Sequence, residues 1–219
     1  MLHWGIAQAQ AGPIAGPGKY AVRLTVDSAT FTQPLEIVRT PDSHGNDNDL
    51  NAAVSLQLKV SADISLVSDM TNQIEWMRRQ LEDEGKGGEV SAELARGMAA
   101  IDKVMQDVEF QLISKADAMS DDKFFTTANK LYLNFIWLNG EIGTGGGDVA
   151  GTADYGPTET AVGLVLDLER QLAKVRADYK RVMEQDVPAY NRSIEGSTLK
   201  ALKTTGAPLP PAAPPPGRF

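Results

Sequence analysis

Hydrophobic residues in this chain follow two rhythms, and the switch from one to the other divides it. From Gly18 to Asp27 apolar and polar positions alternate, with Tyr20, Val22, Leu24 and Val26 on one face and Ala21, Arg23 and Thr25 on the other. That period of two predicts a half-buried strand. Asp27-Ser28-Ala29 has turn chemistry, and the run from Thr30 to Val38 carries Phe31, Leu35 and Ile37 in a common phase, so the pair predicts an antiparallel hairpin. Gln33 interrupts the apolar face of the second strand, and Pro34 cannot donate to a ladder, which makes that strand an edge or locally irregular. Two strands alone are marginal in water. The hairpin is therefore expected to pack on helices or on strands that this sequence lacks.

After the polar stretch Pro41 to Asn48 the period lengthens to about 3.6. Leu50, Val54, Val60, Ile64, Val67, Ile74, Met77 and Leu81 fall on one stripe, which predicts a long amphipathic helix ending at Gly85-Lys86-Gly87-Gly88. A second helix is expected from Ser91 to Met119, with Leu94, Met98, Ile101, Met105, Val108 and Leu112 spaced as in a bundle seam. Ser120, followed by Asp121 and Asp122, reads as the start of a third helix. It carries Phe124, Phe125, Ala128, Leu131, Tyr132, Phe135, Ile136 and Leu138 and is expected to stop near Gly140. A glycine-rich loop leads to Pro157-Thr158, which opens a fourth helix with Val162, Val165, Leu168, Leu172, Val175, Tyr179 and Val182 on its stripe. Pro188 is expected to end or kink it, and Tyr190 to Leu202 forms a further short amphipathic piece.

Four such stripes bury one another in an up-and-down four-helix bundle. The expected organisation is a flexible N-terminus over residues 1–17, a hairpin over 18–40 and a linker over 41–49, then the bundle over 50–203 and a disordered proline-rich tail over 204–219. Leu112 and Leu172 are predicted to be fully buried.

Composition narrows the function classes. The net charge of −8 opposes electrostatic binding to nucleic acid or an anionic membrane. The absence of cysteine excludes disulfides, thiolate zinc sites and a thiol nucleophile. Met1 to Gly18 holds no basic start followed by an apolar run, so it does not read as a signal peptide. No stretch approaches the roughly 20 apolar residues of a membrane span.

Each candidate for chemistry has a plainer reading. Gly143-Thr144-Gly145-Gly146-Gly147-Asp148 resembles a phosphate loop, but it lacks the Gly-Lys-Ser/Thr ending and follows a helix, so a connector is expected. Asp42, Asn46, Asp47, Asn48 and Asp49 could offer oxygen ligands to calcium. They do not match an EF-hand spacing and read better as a helix-capping linker. Glu82-Asp83-Glu84 and Asp121-Asp122 are expected to be a solvated helix end and a helix start. His3 and His44 are the two imidazoles and lie in polar or terminal segments, which argues against a catalytic triad or a histidine metal site. The Glu-x-x-His motifs of a di-metal bundle are absent. Trp76 and Trp137 are expected in the core or at its margin, and Trp4 in the loose N-terminus. No catalytic, metal-binding or cofactor-binding residue is assigned.

The stretch Pro17-Gly18-Lys19-Tyr20-Ala21-Val22-Arg23-Leu24-Thr25-Val26-Asp27, continuing to Thr32-Gln33-Pro34-Leu35, resembles a recurrent segment of large bacterial secreted β-propeller proteins. These are often named glycosyl hydrolases, with sortilin-like or BNR/Asp-box repeats. In them such a hairpin closes a small immunoglobulin-like sheet after the propeller, and a helical C-terminal region follows. Asp154 to Thr158 and Asp186 to Asn191 are similar to that region as well. Thr40-Pro41 stands where the family has Asp-Pro, and the propeller and the remaining sheet strands are missing. The resemblance implies a secreted or periplasmic setting that the chain itself does not encode, and a C-terminal fragment or a split gene product.

The expected function is a non-catalytic structural or interaction module. It would dock on protein, namely the missing propeller or immunoglobulin-like strands, or a second copy through the hairpin. The alternative is a fragment of a glycoside hydrolase whose helices support the propeller active site.

Overall fold

The computed structural model describes residues 12–39, 41, 45–87, 90–114, 128–144 and 155–206. The fold is mainly α, a helical bundle with an N-terminal hairpin. Strands β1 (Gly18–Val26) and β2 (Ala29–Ile37) are followed by α1 (Asp47–Lys86), α2 (Ala92–Leu112), α3 (Leu131–Thr144) and α4 (Glu159–Arg181). A π-helical turn, Val182–Asp186, joins α4 to α5 (Val187–Ser193). By contacts the described residues divide into two compact units, a smaller one that runs up to Ala62 and takes in the stretch from Trp137 to Val165, and a larger one built on the stretch from Asp63 to Ile136 and the residues from Leu166 onward.

Helix starts follow local chemistry. The Asn46 side chain accepts from the Asp49 N–H at 3.1 Å and donates to the Asp49 carboxylate at 2.6 Å, a reciprocal cap on α1. Ser91 accepts from the Leu94 N–H, and Thr158 Oγ1 from the Ala161 N–H. Each satisfies an N–H that the first turn leaves without a helical partner.

In the larger unit most of the predicted seam positions are buried, while Leu94, Met98 and Tyr179 are half-buried; Val162, on the predicted stripe at the start of α4, is exposed. Val67, Ile74, Met77 and Leu81 of α1, Ile101, Met105, Val108 and Leu112 of α2, and Leu168, Leu172 and Val175 of α4 all lie in the core, with Tyr132 and Phe135 of α3 among its largest members. Leu112 is 0% and Leu172 3% exposed, as their spacing predicted. Tyr190, Ile194 and Leu202 extend this core, held by Asn191, which donates to the Leu202 carbonyl and accepts from its N–H.

Several boundaries differ from expectation. Helix α2 stops at Leu112, because Ile113 is extended (φ −131°, ψ 159°) and both residues are completely buried. The expected third-helix start at Ser120, with Phe124 and Phe125, lies outside the described residues. Ala128 is exposed and precedes α3 rather than belonging to it. Helix α3 also runs through Gly140, since one glycine costs about 1 kcal/mol and Ile142 is buried beyond it. Trp137 is 56% exposed, because Tyr132 and Phe135 occupy the inward positions.

Pro188 neither ends nor breaks the last helix. The Val187 N–H bonds to the Val182 carbonyl, a five-residue step that widens the turn. That widening relieves the clash an α-helical carbonyl four residues back would make with the proline ring.

In the smaller unit Gln57 is the polar centre. It is buried at 3% exposure, accepts from the Ile14 N–H at 3.1 Å and donates to the Asn139 carbonyl at 2.9 Å. Gly143 lies so close that a Cβ there would overlap the Gln57 amide. Arg39 reaches the Gly45 carbonyl and pairs with Asp47 at 3.2 Å, closing the linker onto the start of α1.

Candidate functional site

The hairpin departs most from its expectation, and it is the best candidate for a working surface. Its strands pair antiparallel with Tyr20 opposite Leu35, Val22 opposite Gln33, Leu24 opposite Phe31 and Val26 opposite Ala29. Cross-strand partners share a face, so Tyr20, Val22, Leu24, Val26, Phe31 and Leu35 form one apolar sheet face. The other face carries Lys19, Ala21, Arg23 and Thr25 with Glu36, Pro34, Thr32 and Thr30. The apolar face is not half-buried: exposure runs from 42% at Tyr20 to 58% at Leu24 and Phe31.

The two strand edges are unlike. A two-residue loop, Asp27-Ser28, closes the hairpin on Val26 and Ala29, and such a closing pair exchanges both main-chain bonds. Alternate residues then face the outer edges. Lys19, Ala21, Arg23 and Thr25 turn their N–H and C=O groups to the outer edge of β1, and Thr30, Thr32, Pro34 and Glu36 to that of β2. Pro34, which has no N–H, sits in the outward phase, as it must. The outer edge of β2 is thus interrupted, whereas β1 offers an unbroken row of donors and acceptors. Among the described residues β1 pairs with β2 alone.

A second polar constellation lies in the core of the larger unit. The Arg78 guanidinium bonds Asp102 at 2.8 Å and pairs with the Glu109 carboxylate. Glu109 is completely buried, as is Glu75 one turn before Arg78. Burial alone would lower the Arg78 pKa, but the hydrogen bond to Asp102 and the charges of Glu109 and Asp102 outweigh it and raise the pKa above its usual value. The cation therefore holds two helices together and has no proton to exchange near neutrality. Arg78 is not on the stripe that the sequence predicts for α1. The available signal was Glu109 itself, which stands on the inward stripe four residues after Met105 and three before Leu112.

Among the described residues the sequence candidates are not brought together. Asn46 caps α1, and Asp47 and Asp49 lie in its first turn. Asp83 pairs with Arg79 and Glu84 with Lys200, both at 3.3 Å. Of the glycine-rich run, Gly143 packs against Gln57, and residues 145–148 lie outside the described residues, as do His3, Trp4, Asp42, His44, Asp121 and Asp122. Among the described residues no group of three or more His, Cys, Asp or Glu is placed to hold a metal, and no helix is long and apolar enough to cross a membrane. No protein-family model, curated protein or solved structure matches the chain.

Proposed function

We propose that this chain is a non-catalytic structural and interaction module that docks on protein through its β-hairpin, while the helices serve as the scaffold. The observation that carries the reading is the apolar face of β1 and β2, exposed beside an uninterrupted strand edge. A contiguous exposed apolar face of this kind marks a contact site, and an open edge recruits a further strand through main-chain bonds. The resemblance of Pro17 to Leu35 to the hairpin of propeller-type glycosyl hydrolase-like proteins supports the same role, because there the hairpin completes a larger sheet.

The test is a photo-reactive benzoylphenylalanine at Leu24, irradiated in the producing cell. Protein adducts specific to position 24, absent when the label is at exposed Arg170 on α4, are expected. A label at Leu24 that yields no more protein adducts than the one at Arg170 would overturn the proposal. Glycosidase activity from the purified chain would overturn its non-catalytic part.

A further inference from the structure

The two strands of the hairpin are built for different places in a sheet. Strand β2 carries the marks of an edge, with Pro34 in the outward phase and Gln33 on the apolar face. Strand β1 has the composition of a central strand: every inward position from Tyr20 to Val26 is apolar, and no proline, bulge or inward charge interrupts it. Yet β1 has a single neighbour among the described residues.

Resting on the docking role above, we infer that the occupant of the β1 edge is β1 of a second copy, giving a four-stranded antiparallel sheet in the order β2-β1-β1-β2 around a two-fold axis at Val22. The hydrogen-bonding phase fixes part of this register. The outward groups belong to Lys19, Ala21, Arg23 and Thr25, so these residues must pair with one another across the axis. A slip of a single residue would match outward groups with inward ones and turn the apolar face over.

Charge selects among the registers that remain. With Val22 opposite Val22, Lys19 lies opposite Thr25 of the other copy and Ala21 opposite Arg23. Moving by one step of the ladder in one direction sets Lys19 against Arg23 of the other copy, and in the opposite direction Arg23 against Arg23. Like charges directly opposed across strands are destabilising, so the full-length register without such a clash is the one centred on Val22. That register also sets Tyr20 beside Leu24 of the other copy and continues the apolar face across all four strands. Pro34 then lies on both outer edges, so the assembly closes at two copies instead of growing into a fibre.

The test uses the full chain, whose lack of cysteine makes any introduced thiol unique. At a non-hydrogen-bonded pair on the axis the Cα atoms stand about 4.5 Å apart, within disulfide reach. Val22→Cys is therefore expected to form a covalent dimer on mild oxidation. Leu24→Cys, separated from its symmetry mate by four residues or about 13 Å along the strand, is expected to stay uncrosslinked. In sedimentation the unmodified chain is expected to show twice the 23.5 kDa chain mass, reverting to a single chain on dilution. Ala21→Pro, which removes an outward N–H as Pro34 does on the other strand, should give monomers with unchanged helical circular dichroism. A monomer at all concentrations, crosslinking of Leu24→Cys as fast as Val22→Cys, or a dimer that persists in Ala21→Pro would overturn the inference. Adducts at Leu24 with a different protein, together with a monomeric chain, would leave the docking role standing and sink the self-pairing.

Discussion

Helix α2 and strand β1 are both amphipathic, yet they end in opposite situations. Ile101, Met105, Val108 and Leu112 of α2 are at most 5% exposed, whereas Tyr20, Val22, Leu24 and Val26 of β1 are at least 42% exposed. The difference is one of bonding economy. A helix satisfies its main chain internally and asks its surroundings only to cover a stripe. A strand needs a neighbour on each edge as well as a cover for its face. For the seam of α2 the first demand is met, whereas among the described residues β1 has one neighbour and an uncovered face. The two regions therefore differ in what the chain itself covers: the seam of α2 is sealed, and the apolar face of β1 is open.

Removing the buried cation should break the sealed region most severely. Arg78→Ala leaves Glu109 in the core without its guanidinium, and loss of one member of a buried pair costs about 3–5 kcal/mol. The denaturant midpoint should fall accordingly, and the double change Arg78→Met with Glu109→Leu should recover most of the loss. If the single change were nearly neutral, the ion pair would not be holding α1 to α2.

Leu112→Ala and Leu24→Ala set the two regions side by side. Leu112 is fully buried, so its truncation should cost about 2–5 kcal/mol. Leu24 is exposed, and the same truncation should change the stability of the isolated chain by no more than about 0.5 kcal/mol. Equal costs would mean that the hairpin face is covered after all. Gly143→Ala comes next. The added Cβ displaces the Gln57 amide, so the Ile14 N–H and the Asn139 carbonyl lose their partner at a cost of about 1–3 kcal/mol. Hydrogen exchange at Ile14 should speed up first.

A smaller effect is expected in alkali. Burial raises the pKa of Tyr179 and Tyr190 above the usual 10.0, with further contributions from Asp69 and Glu84 respectively. The folded state thus holds these phenols neutral where the unfolded chain ionises them. Their contribution is complete below pH 10 and is lost as pH rises through the folded values. Tyr179→Phe with Tyr190→Phe should flatten the fall of stability above pH 10, and an unchanged slope would assign the alkaline loss elsewhere.

The seams were legible because their spacing repeats over many turns and each misplacement would expose several large side chains at once. Leu112 and Leu172 show this. Ends were less legible, because a single residue decides them: α3 runs through Gly140, and Pro188 is absorbed by a π turn that no local pattern announces. The role of Gln57 is not legible in the sequence, because its partners, Ile14 and Asn139, are distant along the chain and the space beside it exists only because residue 143 has no side chain. The hairpin's pairing was readable from alternation, and its exposure was not. A period of two says which face is apolar, but not whether anything covers it.

The slightest change tests the hairpin from within. Asp27 has φ 52° in the turn, a left-handed conformation that costs a residue with a Cβ about 1–2 kcal/mol and glycine almost nothing. Glycine loses more freedom on folding, so the net gain of Asp27→Gly should be about 0.5 kcal/mol. That gain belongs to the hairpin alone and should leave the thermal transition of the helices unmoved. Hydrogen exchange should slow at Tyr20, Val22 and Leu24, whose N–H groups face β2, and hardly change at Ala21 and Arg23 in a dilute sample. If Ala21 and Arg23 were already protected in a verified monomer, the outer edge of β1 would be covered from within the chain, and the contrast between the sealed seam of α2 and the open strand β1 would disappear.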